Sequence, residues 1–274
     1  MQIKIPGTLG GFGPGHNSLG IALAKYFTVE LLGAAEQWQI ESDSDKYYES
    51  DEHNYVVAVA LKLVADLPAQ HLKIHSELDA SLGEEQAALL AGIELARLLG
   101  AANLDTYTML TLAARTFNDA SRVTAAILGG VTSSFFDADE VYASGLVLPA
   151  YQVLLYRTTK LEPNKSEKSF SATQLAQYGA AGNMLITAWQ NQQKELAGKL
   201  LEIDFLLDEL PAELVRLRQL TSALDIYGTF LVNDLIVTLV PEELSADLLA
   251  ALAYVDDLAG EFELLELAKE GIIN

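Results

Sequence analysis

The hydrophobic and polar positions of the chain predict helices and strands in mixed order. Apolar residues recur every three or four positions between 83 and 99, which is the spacing of an amphipathic helix. Runs of apolar, β-branched and aromatic residues predict strands over 25–39, 72–78, 147–157 and, as one long strand or a pair, 229–239. Further helices are predicted over 54–67, 106–115, 120–128, 172–190, 193–207 and 246–258.

The order of these elements indicates the fold class. Strands and helices are interleaved without a regular strand–helix–strand alternation, which favours an α+β fold over a doubly wound α/β fold. The polar stretch 160–171 contains a proline and follows a predicted strand, so it marks the best internal boundary. We therefore expect two domains, over 1–158 and 159–274.

One segment, 6–20 (PGTLGGFGPGHNSLG), is unusually rich in glycine. Six of its fifteen residues are glycine, and it lies between a short strand-like run, 3–5, and the apolar run 21–24. Glycine permits close approach of the backbone and positive φ angles. The segment is therefore either backbone that cradles a ligand or a tight crossover between packed elements, and the residue types alone favour neither.

Composition limits the classes of partner. The chain has 274 residues, 17 of them basic and 38 acidic, for a formal net charge of −21. Such a surface repels nucleic acid and anionic membranes, so we expect neither as a partner. No apolar run reaches about 18 residues and no basic start precedes an apolar core, so neither a membrane span nor a secretory signal is expected.

Candidate metal chemistry is sparse. The chain has no cysteine, which removes disulfides and thiolate-bound metals and is compatible with a cytoplasmic location. The four histidines lack metal-ligand spacing, so no metal site built by the protein alone is expected.

The glycine-rich segment resembles the first motif of the GHMP small-molecule kinases, in particular the homoserine kinase type, which reads approximately P-A-T-S-A-N-L-G-P-G-F-D-S-L-G. The family asparagine falls on Gly11, the family phenylalanine on His16 and the family aspartate on Asn17. For His16 we expect a packing role. Eight positions match in register: Pro6, Thr8, Gly13, Pro14, Gly15, Ser18, Leu19 and Gly20.

Less specific matches follow in the family order. Residues 51–55 (DEHNY) resemble the family's D-E-x-N-L, which implies that Asn54 lies near the adenine; the alternative is a helix N-cap. Residues 74–92 stand where the family has P-x-x-x-G-L-G-S-S-A-A-x-x-A-G, and 123–130 (VTAAILGG) resemble V-A-P-A-L-L-G-G.

The resemblance implies a fold, a reaction and a set of site residues. The fold would be an N-terminal α+β domain of the ribosomal-protein-like type over 1–158 and a ferredoxin-like C-terminal domain over 159–274. ATP and Mg²⁺ would act on a small-molecule ligand, and a homodimer is a further expectation. No catalytic residue is assigned. The substrate-binding candidates are Gly11, Gly15, Asn17, Ser18 and Arg122, and the nucleotide-binding candidates are Asn54, Ser81, Gly83, Glu84 and Glu85.

The chain departs from the family where phosphate would bind. Glu84 and Glu85 replace the two serines of the second motif. Carboxylates favour a helix N-terminus, but a contact with phosphate at about 4 Å costs on the order of 4 kcal/mol at an effective dielectric of about 20. Arg122 replaces the asparagine of the family's H-P-D-N. The third motif, S-G-A-G-P-T, falls on 229–235, where the bulky TFLVNDL stands.

In the family, an arginine would hold the substrate carboxylate. No counterpart stands near 204–211. Arg216 and Arg218 are nearby, but we expect them on the solvent face of a helix. Two hypotheses follow. The chain phosphorylates the hydroxyl of L-homoserine in threonine biosynthesis, or it is an inactive pseudokinase with a binding or regulatory role.

Overall fold

The structure, a computed structural model, describes residues 1–43, 48–100, 103–137, 140–158, 161, 169–207 and 209–273. These residues form two compact units. The first unit comprises 1–9, 20–145 and 268–274, and the second comprises 10–19 and 146–267. The sequence predicts a single boundary after residue 158, whereas the units change at 145/146 and two short segments belong to the unit distant in sequence. The division 1–158 and 159–274 stays a prediction.

The first unit is built on a six-stranded sheet with the order β3-β4-β2-β5-β6, in which β1 also pairs with β2. The strands are β1 (Gln2–Gly10), β2 (Leu19–Ala34), β3 (Gln39–Ser42), β4 (Gln70–Ser76), β5 (Val131–Asp137) and β6 (Glu140–Leu146). The helices are α1 (Tyr55–Leu63), α2 (Glu84–Leu99), α3 (Thr106–Phe117) and α4 (Ser121–Leu128).

Alternation of side chains along the strands gives this sheet one buried face. In β4, Leu72 and Ile74 are fully buried, whereas Lys73 and His75 between and after them point away from the core. Helices α1 and α2 pack closely because Gly92 lacks a side chain: a Cβ there would lie 2.6 Å from the carbonyl oxygen of Val56. This packing fixes the start of α2, where the second family motif falls.

The second unit has a four-stranded antiparallel sheet with the order β10-β7-β9-β8. Its strands are β7 (Tyr151–Arg157), β8 (Thr229–Val232), β9 (Leu235–Pro241) and β10 (Glu261–Glu266), and its helices are α5 (Ala172–Gln190), α6 (Lys194–Leu201), α7 (Ala212–Ser222) and α8 (Ser245–Leu252). Renumbered within the unit, the strand order is 4-1-3-2, with helices after the first and third strands. This is the ferredoxin-like βαββαβ arrangement, and it confirms the α+β prediction.

The predicted elements agree best with the structure where the helical pattern in the sequence is long. Residues 172–190 form α5, which begins with a reciprocal capping box between Ser171 and Gln174. The helices predicted over 193–207 and 246–258 end earlier, at Leu201 and Leu252. The strand expected over 3–5 extends to Gly10, so part of the glycine-rich segment is strand rather than loop. Strands β5, β6 and β10 were not predicted.

In the part of the chain that the structure describes, every helix is too short or too polar to cross a membrane.

Candidate functional site

Residues 10–19 of the glycine-rich segment form a compact turn in the second unit. After β1, Gly11 takes a φ of +76°, residues 13–15 form a 3-10 turn, and Asn17 takes a φ of 61°. Gly13 is crowded, since a Cβ there would lie 2.7 Å from the carbonyl oxygen of Leu201. The hydroxyl of Tyr178 donates to the carbonyl of Gly13. Gly13 therefore allows the turn to approach the protein's own backbone closely, as in a tight crossover.

The four substrate candidates of this segment lie within one turn but differ in exposure. A Cβ on the buried Gly15 would overlap the side chain of Leu19, and the amide of Ser18 donates to the carbonyl of Gly15 at 2.9 Å. The Gly11 Cβ position is 3.4 Å from the imidazole of His16, consistent with a packing role for that ring. Asn17 is exposed, so its amide is the accessible polar group of the turn.

The second motif forms a loop at the start of α2 in the first unit. The Asp79 carboxylate accepts from the Leu82 amide at 3.1 Å and from the Ser81 hydroxyl at 2.6 Å. Gly83 then takes a φ of +77°, and α2 begins at Glu84. The start of α2 can act as an anion cradle through the positive end of the helix dipole, but the amides of Leu82, Gly83 and Glu84 already donate to the carbonyls of Asp79 and Ala80. The Ser81 hydroxyl is already engaged by Asp79.

The two glutamates of the first turn of α2 behave differently. Glu84 Oε1 accepts from the hydroxyls of Tyr48, at 2.9 Å, and Ser76, at 2.8 Å. Glu84 is therefore tied to the end of β4 and to the segment after β3. Glu85 is exposed. Its charge adds to the effect of burial in raising the pKa of Tyr55, the first residue of α1. The loop consequently carries one anchored and one exposed carboxylate.

Arg122 lies behind this loop. It is buried in α4, and its Nη1 donates to the carbonyl of Ser81 at 3.1 Å. A Cβ on Gly83 would lie 3.6 Å from Nη1 of Arg122 and 2.7 Å from the hydroxyl of Thr8. The structure therefore places Arg122, which the resemblance assigns to the substrate, against the nucleotide candidates Ser81 and Gly83. A guanidinium there supplies positive charge to a loop with two carboxylates.

Asn54 is the N-cap of α1. Its Oδ1 accepts from the Val56 amide at 3.1 Å, and its Nδ2 donates to the carbonyl of Glu49 at 3.0 Å. The N-cap interpretation is thus confirmed by these bonds, and Asn54 is 2% exposed. The nearby Asp51 does not cap this helix; its carboxylate accepts from the amide of His53 at 2.9 Å.

Known proteins resemble the chain along its whole length. No family model matches. A homoserine kinase of Enterococcus faecalis is 28% identical over 99% of both chains, and one of Lactiplantibacillus plantarum is 29% identical over 99% of this chain and 98% of the other. A Listeria monocytogenes structure provisionally assigned as a homoserine kinase matches with a TM-score of 0.88 and 25% identity, covering 99% of this chain and 98% of that one.

The chain is therefore similar to homoserine kinases along nearly its whole length, in sequence and in fold. A mevalonate pyrophosphate decarboxylase structure from Streptococcus pyogenes shares the fold, with a TM-score of 0.65 at 14% identity over 98% of this chain and 96% of that one.

Residues 229–235, on which the third family motif falls, belong to a tight hairpin. β8 and β9 pair antiparallel from Thr229↔Thr238 to Val232↔Leu235. The turn residue Asn233 has a φ of 53°, and Leu231 and Leu235 on either side are at most 2% exposed. Packed apolar side chains therefore stand where the family has a glycine loop.

The two arginines of α7 have different surroundings, although both were expected on its solvent face. Arg216 is exposed as predicted and pairs with Asp257, with its Nε 2.6 Å from the carboxylate. For Arg218 the prediction is wrong: it is part-buried and donates to the carbonyls of Thr229, at 2.8 Å, and Glu202, at 3.1 Å. Burial lowers the pKa of Arg218. It ties α7 to β8 and the end of α6.

Among the described residues, no group of three or more histidine, cysteine, aspartate or glutamate side chains is arranged to hold a metal ion.

Proposed function

We propose that the protein transfers a phosphoryl group from ATP to the hydroxyl of L-homoserine, a step of threonine biosynthesis. The similarity to homoserine kinases over nearly the whole chain supports the substrate class. The observation that carries the reaction class is the backbone of the second motif, where Gly83 at a φ of +77° opens the 16-residue helix α2. The positive end of the dipole at such a helix start favours phosphate.

The fit of ATP to this loop is mixed. The backbone and the buried Arg122 favour an anion, whereas Glu84 and Glu85 place two negative charges in the first turn. The hydroxyls of Tyr48 and Ser76 stabilise the Glu84 carboxylate where it is, so it does not leave without losing two hydrogen bonds. We therefore propose low affinity for Mg-ATP and slow turnover, with phosphoryl transfer resting on positioning and electrostatics.

The test is direct detection of O-phosphohomoserine, by mass, after incubation of the purified protein with Mg-ATP and L-homoserine. The double variant Glu84→Ser/Glu85→Ser restores the two family serines. It should raise kcat/KM at least about tenfold, since tenfold corresponds to only about 1.4 kcal/mol of removed repulsion. No product from either protein would overturn the proposal.

A matched control exists in the same chain. Glu242 and Glu243 also stand together in the first turn of a helical segment, in the second unit, and both are exposed. Glu242→Ser/Glu243→Ser makes the same change in charge and removes only a surface ion pair between Glu243 and Lys194. This variant should phosphorylate homoserine at the wild-type rate.

A second candidate function is that of a pseudokinase that keeps the fold for a binding or regulatory role. The anchoring of Glu84 by Tyr48 and Ser76 favours it, because a carboxylate held in the cradle competes with phosphate. Thermal unfolding with millimolar Mg-ATP distinguishes the two. A ligand at about 100 times its Kd stabilises by about 2.7 kcal/mol. Stabilisation of the wild-type protein excludes a pseudokinase that has lost ATP binding. No shift in the wild type together with a clear shift in Glu84→Ser/Glu85→Ser supports it.

ATP is a cytoplasmic metabolite, so we place the proposed activity in the cytoplasm. The proposed family domains remain 1–158 and 159–274.

A further inference from the structure

Residues 13–18 of the glycine-rich segment, here named the substrate turn, pack closely against other parts of the second unit. The backbone at Gly13 approaches the end of α6, at Leu201, as described above. A Cβ on Gly182 of α5 would lie only 3.0 Å from the carbonyl oxygen of Pro14. The ring of Phe12, just before the turn, contacts that of Phe230 in β8, with centroids 4.8 Å apart. Two helices and a strand of one unit therefore confine the turn.

One side chain of α5 makes polar contacts with both ends of the 3-10 part of this turn. The hydroxyl of Tyr178 donates to the carbonyl of Gly13, and the backbone of His16 hydrogen-bonds to the same hydroxyl. Gly13 and Gly15 are buried, so their backbone groups depend on partners within the protein. Tyr178 was not singled out by the sequence, because neither its spacing nor its neighbours mark it.

The tyrosine itself is held firmly. Its ring meets Phe205 edge to face, with centroids 5.1 Å apart and an interplanar angle of 80°. Burial raises the pKa of Tyr178 above its ordinary value, and the charge of Asp204 adds to this effect. The hydroxyl therefore keeps its proton at physiological pH and remains a donor to the turn.

The turn carries two of the substrate-binding candidates directly after these contacts. Asn17 is exposed with a φ of 61°, and the amide of Ser18 donates to the carbonyl of Gly15 at 2.9 Å. The direction of both side chains depends on how the backbone of 13–16 is set. A site binds more tightly when its groups are fixed before the ligand arrives, since less conformational freedom is then lost on binding.

We propose that Tyr178 is a positioning residue for the small-molecule substrate. Its hydroxyl fixes the substrate turn, so that Asn17 and Ser18 present their polar groups in one orientation. Tyr178 acts through the turn and is not itself a ligand of the substrate. The inference rests on the proposed function for the identity of that substrate, L-homoserine.

The first experiment is steady-state kinetics of O-phosphohomoserine formation by Tyr178→Phe, which removes only the hydroxyl and leaves the ring against Phe205. The KM for homoserine should rise on the order of fivefold, as expected for one hydrogen bond. The KM for Mg-ATP should not change, because the nucleotide candidates belong to loops of the first unit.

Tyr156→Phe is the matched control. Tyr156 of β7 is buried in the same unit, and its ring stacks on Phe262 with centroids 4.5 Å apart. The variant loses the same atom from a similar aromatic pair and should leave both KM values unchanged. A purely structural role of Tyr178 would lower the Tm without separating the two KM values. An unchanged KM for homoserine, or an equal rise in both KM values, would overturn the proposal.

Hydrogen exchange gives a readout that needs no reaction. The amide of Ser18 should lose protection in Tyr178→Phe and keep it in Tyr156→Phe. If the wild type forms no O-phosphohomoserine, the proposed function fails, but this comparison still decides whether Tyr178 fixes the turn. Protection equal to that of the wild type would refute it.

A second variant covers the case in which Tyr178→Phe does not fold. Gly182→Ala adds a methyl group from the same helix against the carbonyl of Pro14, and it should also raise the KM for homoserine alone and weaken protection of the Ser18 amide. Gly179→Ala, on α5 with open space around its Cβ position, should do neither. The same result from both glycine variants would overturn the proposal.

Discussion

Gly13 and Gly83 belong to two motifs on which the family resemblance depends. Each is constrained both by its backbone conformation and by a neighbouring atom. Gly13 has a φ of +48° and Gly83 a φ of +77°, in the left-handed region that favours glycine. Each also lies 2.7 Å, at its Cβ position, from an oxygen: the carbonyl of Leu201 for Gly13 and the hydroxyl of Thr8 for Gly83. Packing therefore favours glycine at both positions, whether or not a ligand binds there.

At Gly13 this leads to a measurable effect on stability. Gly13→Ala combines an unfavourable φ with a clash against backbone, so the free energy of unfolding should fall by about 1–3 kcal/mol. Gly179→Ala is the control. Gly179 is interior to α5 with no neighbouring atom within 4 Å of its Cβ position, so alanine there should stabilise by about 0.5–1 kcal/mol. Urea unfolding measures both; equal stability of Gly13→Ala and wild type would contradict the crossover interpretation.

Asn17 offers a residue-scale test of substrate binding, conditional on the proposed function. It replaces the family aspartate, and a carboxylate can pair with the ammonium of an amino-acid substrate, which an amide cannot. Asn17→Asp should lower the KM for homoserine several-fold and leave the KM for ATP unchanged. Asn118→Asp is the matched control, because Asn118 is also exposed and has a φ of 51°. A similar change in both variants would show an effect of net charge alone.

The placement of Arg122 shows where inference from sequence ends at this scale. The motif order identified the loop around Gly83 and predicted its backbone, because glycine and helix patterns are local. The contact of Arg122 with the carbonyl of Ser81 joins positions 41 residues apart. It depends on how α4 packs against the loop, which no local pattern in the sequence encodes.

At the scale of elements, the helices were more predictable than the edge strands. β10 reads EFELLE, and its leucines and glutamates favour a helix at least as well as a strand. It is a strand because β7 supplies an antiparallel partner, from Glu261↔Arg157 to Glu266↔Gln152. β5 and β6 mix serine, aspartate and glycine with aromatic residues and have much exposed surface, so their alternation is obscured. Pairing with a neighbouring strand, rather than the intrinsic propensity of the residues, therefore determines that these segments are strands.

Helix α3 permits a pH prediction. The Asp105 carboxylate caps it by accepting from the Thr108 amide at 2.8 Å, and that bond lowers the pKa of Asp105 below its ordinary value. A lowered folded-state pKa stabilises the fold above the unfolded value of about 3.9, and this contribution is lost as the pH falls through the folded-state pKa. The pKa of Asp105, followed by NMR, should therefore lie below its ordinary value.

A variant isolates the same effect in stability. Asp105→Asn keeps a capping oxygen but does not titrate. The difference in unfolding free energy between wild type and Asp105→Asn should therefore decrease as the pH is lowered from 7 into the range below the unfolded pKa. A difference that is constant with pH would show that the cap is not formed by the charged carboxylate.

For the molecule as a whole, the excess of acidic residues sets the response to salt. At neutral pH a formal charge of −21 destabilises the compact state by self-repulsion, and salt screens this repulsion over a Debye length of about 10 Å at 0.1 M. Added NaCl should therefore raise the Tm at pH 7.5. Near the sequence pI of about 4.4 the net charge vanishes, and the dependence of Tm on NaCl should vanish with it. Sulfate is unsuitable here, because it stabilises proteins by exclusion whatever their charge. An equal NaCl dependence at both pH values would show that the acidic surface is not what limits stability.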